Sequence, residues 1–187
     1  MKCANKRCNK KNASLNIASD KAIVPIECDV GQLRKLFSFF EHRAPNIDSI
    51  HSPLLDYSKH ENLLREMIPD NENYKFYTHN YSNSEMLNEQ MLAGTELCDR
   101  CKRFACKRSN QHAKRDNTRK ESDLECLLRH IRNAIAHGHV FIKHGGNYIS
   151  ICFEDLNKDK HITARILTNQ AQLRRWKEKL EEAINMQ

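Results

Sequence analysis

Residues 127–138 read Leu-Leu-Arg-His-Ile-Arg-Asn-Ala-Ile-Ala-His-Gly. Wound as a helix of about 3.6 residues per turn, the stretch sets Cys126, His130, Asn133 and His137 on one stripe. Arg129, Arg132 and Ala136 flank that stripe, and Leu124, Leu128, Ile131 and Ile135 share another face. One helix thus anchors a core and presents two imidazoles, a carboxamide and two guanidiniums together. These groups suit work on a phosphodiester. Arginine is permanently charged and grips phosphate oxygens with a fork of donors. Histidine moves protons near neutral pH. RNA supplies its own nucleophile, the 2′-hydroxyl, so its cleavage needs a proton acceptor, a proton donor and charge stabilisation, but no metal. The same residue types also allow a plainer arrangement, in which Arg and His pack at a helix end or a dimer seam.

Other elements must hold this helix. Ala22–Ile26 reads as a short extended segment, since Pro25 is excluded from a helix interior. Asp29 can cap a first helix, with Leu33, Leu36, Phe37 and Phe40 at helical spacing and Pro45 ending it. A second helix is expected from Pro53 to Ile68, and residues 70–82 form a loop or a strand. Ser84 can cap a third helix running to about residue 107, through Leu87, Met91, Leu97, Cys101 and Phe104. Ser122 or Asp123 opens the fourth, the chemistry-bearing helix, and Gly138 suits its C-terminal end. Glu121, Asp123 and Glu125 suit its N-terminal dipole. The period then changes. Val140–Ile142, Gly145-Gly146 and Tyr148–Phe153 give a hairpin pattern, and a third strand fits His161–Leu167. Thr168 or Asn169 caps a final helix whose Leu173, Trp176, Leu180 and Ile184 share a face. The expected fold is mainly α, a helical bundle with a small β-hairpin before the C-terminal helix. Residues 1–20 read as a basic flexible tail, and residues 21–187 as a single domain.

The string HIRNAIAHG, with Arg132-Asn133 followed by His137, resembles the signature of the HEPN superfamily. Its pattern is an Arg, often a polar residue next to it, and a His late in the last core helix. No other Arg in the chain has a His five positions on. The hairpin and terminal helix resemble a subgroup of short bacterial proteins found on plasmids and in defence islands. The resemblance implies a HEPN-like helical bundle and a metal-independent endoribonuclease without cofactor. Arg132 and His137 would be the catalytic pair and Asn133 a positioning residue. It further implies a homodimer with a composite cleft, a role as toxin or antiviral defence effector, and allows for a cognate antitoxin. The alternative is a non-catalytic HEPN module that binds RNA or a protein partner.

Charge gives the RNA reading a location. The formal net charge is +7. Residues 1–11 carry +5 and residues 100–120 carry +8, so the rest of the chain stands at −6. Such blocks are solvated faces or anion-binding surfaces. The expected RNA contacts are Arg100, Lys102, Arg103, Lys107, Arg108, Lys114, Arg115, Arg119 and Lys120, joined by Arg129 and His130 of the fourth helix. His139 and His144 lie just past the motif and would line the same cleft or be solvated.

Eight cysteines at uneven spacing, without an apolar run after the basic N-terminus, read as reduced thiols of a cytoplasmic protein. Cys98, Cys101, Cys106 and His112 resemble a zinc set, with Cys3 and Cys8 as further candidate ligands. Cys98 and Cys101 also fall on the apolar face of the third helix, and the core reading suits them better. No apolar run reaches the roughly 20 residues of a membrane span. No glycine-rich phosphate loop is present.

Overall fold

The computed structural model describes residues 22–23, 30–43, 60–68, 74–77, 104–108, 121–145, 148–160 and 162–186. Four helices lie within them: α1 (Gly31–Arg43), α2 (Glu61–Met67), α3 (Asp123–Ala136) and α4 (Gln170–Asn185). The strands are β1 (Ala22–Ile23), β2 (Tyr74–Tyr77), β3 (Phe104–Lys107), β4 (Val140–Gly145), β5 (Tyr148–Leu156) and β6 (Ile162–Asn169). Helix is the commonest element among the described residues, and the antiparallel meander β4–β5–β6 lies against the helices.

Helix α3 is specified at both ends. Ser122 Oγ accepts from Glu125 N at 3.2 Å, and Ser122 N donates to Glu125 Oε2 at 2.9 Å, a reciprocal capping box. At the other end Gly138 N donates to Ile135 O and His139 N to Ala134 O. This paired closure requires a residue at positive φ, and Gly138 supplies it at 71°. Between the caps Leu124, Leu127, Leu128, Ile131, Ala134 and Ile135 are buried. Each large apolar side chain removed from water contributes about 1.5–3 kcal/mol.

The other helices close over the same core. Helix α1 buries Leu33, Leu36, Phe37 and Phe40, and Phe37 meets Phe153 of β5 edge-on at 6.0 Å. Helix α4 buries Leu173, Trp176 and Leu180 of the expected face together with Ala183, while Ile184 is partly buried against the core. Its cap is Asn169, whose side chain accepts from Gln172 N at 2.9 Å. Trp176 donates its indole N–H to Met67 O at 2.9 Å, tying α4 to the end of α2.

The sheet exceeds the expected hairpin. Its strand order is β1-β4-β5-β6-β3-β2, with only the β2–β3 pair parallel. The third strand expected near His161–Leu167 is present as β6. Residues 104–107, expected at the end of a helix, are instead strand β3, paired antiparallel to β6. Apolar Phe104 and Cys106 alternate as a strand requires, and a non-local ladder decides between the two periods. Residues 74–77, left open between loop and strand, form β2. Asp29, Pro45, Pro53, Ser84 and most of the third helix lie outside the described residues, as do residues 1–20. No described helix is long and apolar enough to cross a membrane.

Candidate active site

The site residues sit on the C-terminal half of α3 and on β5. Alternation along β5 puts Ile151 and Phe153 into the core beneath the helices. Asp155 follows on the same face and is also buried. The strand thereby carries a carboxylate under α3.

Two acid–base pairs lie buried side by side there. Glu121, just before the helix cap, grips Arg129 through both oxygens, at 2.5 Å to Nε and 3.0 Å to Nη2. Asp155 Oδ2 stands 2.6 Å from His130 Nδ1. The four residues are 2%, 6%, 4% and 1% exposed in the order Glu121, Arg129, Asp155, His130. Such burial is tolerable only because each charge has a partner. Arg129 Nη2 also approaches His130 Nε2 at 3.1 Å. The Glu121 fork offsets the guanidinium beside the ring.

The titrations follow from these contacts. Burial and the Arg129 charge push His130 down, but the Asp155 carboxylate and the Cys126 sulfur outweigh them and raise it to about 9. Burial would push Asp155 up, yet His130, the Asn133 amide and Arg129 hold it below its ordinary value. Burial opposes ionisation of Arg129, and Glu121 reverses this and raises it. Burial keeps the Cys126 thiol protonated, with its pKa raised.

The surface end of α3 is joined to this network by Asn133. Asn133 Nδ2 donates to Asp155 Oδ2 at 3.2 Å, and Asn133 Oδ1 accepts from Arg132 Nη1 at 3.2 Å. Arg132 and Asn133 are half-buried, and His137 is exposed at the helix C-cap. The His137 ring lies 6.5 Å, centroid to centroid, from that of His139. The arrangement can offer an imidazole and a guanidinium to an anion at the protein surface.

Several expected RNA contacts are corrected. Arg129 and His130 do not face outward: both are buried and satisfied by Glu121 and Asp155. Helical spacing placed them on or beside the polar stripe, but β5 and the chain before α3 cover that side. Arg108 reaches Asp123 and donates to Glu121 O at 2.9 Å, so it braces β3 against the start of α3. Lys107 lies in β3. Arg100, Lys102, Arg103, Lys114, Arg115, Arg119 and Lys120 lie outside the described residues.

Cys98, Cys101 and His112 also lie outside them. Cys106 is fully buried and belongs to the same core cluster as Cys126. Among the described residues no group of three or more His, Cys, Asp or Glu could hold a metal ion. Two participants escaped sequence reading. Glu121 reads in the sequence only as a dipole partner of the helix, and its neighbour Glu125 serves the cap. Asp155 had one available signal, an acid on the core-facing register of an apolar strand.

A family model described as HEPN pEK499 p136 matches residues 49–187. No curated protein and no solved structure matches the chain.

Proposed function

The chain belongs to the HEPN pEK499 p136 family, and on that premise we propose that it is a metal-independent endoribonuclease acting as a toxin or phage-defence effector. HEPN families generally include ribonucleases. The observation that carries the reading is the end of α3. There an exposed His137 follows Arg132, whose guanidinium donates to Asn133, on a helix held from below by a buried ionic network.

In this reading His137 exchanges a proton with the 2′-hydroxyl or the leaving oxygen of RNA. Arg132 offsets the charge that develops on the phosphorus-bound oxygens. Asn133 holds Arg132 in place. A second copy of the chain completes a composite cleft with its own Arg132 and His137. Basic residues between 100 and 120 draw RNA toward that cleft, which makes binding steeply salt-dependent.

The test is cleavage of RNA in EDTA by the wild type, His137→Ala and Arg132→Ala. Loss of cleavage in both variants supports the reading. Equal activity in all three overturns it.

A further inference from the structure

We propose that Asp155 is a positioning residue of the α3 site, acting on Arg132 through the side-chain amide of Asn133. Its catalytic consequence rests on the ribonuclease reading above. The placement itself rests on hydrogen bonds alone.

A carboxylate accepts and cannot donate. The Asn133 amide must therefore turn its Nδ2 to Asp155, at 3.2 Å, and this leaves Oδ1 facing Arg132 Nη1, also at 3.2 Å. The opposite amide orientation would set oxygen against carboxylate and nitrogen against guanidinium. Both contacts would then be repulsive. The charge on β5 thus decides which way the amide points and where one of the five Arg132 donors is held.

Asp155 is itself well fixed. Its Oδ2 also takes the His130 Nδ1 contact at 2.6 Å. The β5–β6 register shifts between Asp155 and Leu156, so that Asp155 pairs with Ala164 and Leu156 with Ile162. Thr163 is the additional residue, and its hydroxyl donates to Asp155 O at 3.2 Å. Bulges of this kind re-aim a side chain and often lie beside functional sites. The proposed control therefore runs from the carboxylate to the amide to the guanidinium.

The experiment compares full-length wild type, Asp155→Asn, Asn133→Ala and the double variant. One readout is kcat and KM for RNA cleavage in EDTA. The other is hydrogen exchange of the Asn133 side-chain amide by NMR. Asp155→Asn should lower kcat roughly 10- to 100-fold with little change in KM. It should add nothing further in the Asn133→Ala background, because both changes break the same chain. The Asn133 amide should lose protection. An unchanged Asn133 signal, or independent and additive losses in kcat, overturns the proposal. If the wild type cleaves no RNA while the Asn133 signal responds, the ribonuclease reading fails and the positioning role stands. Should Asp155→Asn not fold, Thr163→Val takes its place: amide protection should fall about twofold or more, and no change overturns the proposal.

Discussion

Asp155 of β5 and His130 of α3, 25 residues apart in sequence, meet at 2.6 Å in the core. Their contact lies beside the equally buried Glu121–Arg129 fork. The helix that presents Arg132 and His137 is therefore held from below by paired charges as well as by its leucines. A helix held only by apolar packing can slide or rotate at modest cost. Directional ionic contacts at two successive positions, 129 and 130, resist both movements.

That network predicts a separation between stability and activity. His137 is exposed and makes no side-chain hydrogen bond among those described, so His137→Gln should change unfolding free energy by no more than about 0.5 kcal/mol. RNA cleavage should fall about 10²- to 10⁴-fold, the share of a general acid–base group. Denaturant unfolding and a cleavage assay on one preparation test both halves.

Glu121 should behave in the opposite way. Glu121→Ala leaves the Arg129 guanidinium buried without its carboxylate, and removing one partner of such a pair costs about 3–5 kcal/mol. Urea unfolding measures the loss. A change well below about 1 kcal/mol would mean that the pair is solvated in solution.

Stability should also depend on pH in a defined direction. His130 is raised from 6.5 to about 9, so the folded chain binds its proton more tightly than the unfolded chain. Its contribution is complete below pH 6.5 and is lost as pH rises through about 9. Asp155 is lowered from 3.8, so its contribution is complete above pH 3.8 and is lost as pH falls through its depressed folded value. These two groups together favour the window between 3.8 and 6.5. Melting temperatures recorded from pH 5 to 9.5 should decline over the alkaline part, and His130→Gln should flatten that decline.

Gly138 offers a backbone test. Its φ of 71° is disfavoured for residues with a Cβ, so Gly138→Ala should cost roughly 1–2 kcal/mol. The same change loosens the closure of α3 right after His137. Cleavage should therefore fall more than the stability loss alone would account for, measured at a temperature where the variant is fully folded.

The sequence by itself determined what nearest neighbours can decide. The apolar face of α3, its Ser122 cap and its Gly138 end depend on contacts within a few residues, and each was legible. So were the apolar face of α4, the β4–β5 hairpin and the grouping of Arg132, Asn133 and His137 on one helix, together with the HEPN resemblance those residues carry. Tertiary structure alone decided which polar groups of that helix face water. Arg129 and His130 look as available as Arg132 in a helical projection, but Glu121 and Asp155 draw them inward. Alternation along β5 turns Asp155 to the core face, but only the packing of that strand under α3 sets it against His130 and Asn133. Strand β3 was missed for the same reason, since Phe104–Lys107 satisfies its backbone against β6, some 60 residues along the chain. A helix bonds to itself and can be read locally. A ladder, or a buried ion pair, depends on a partner that only the folded chain supplies.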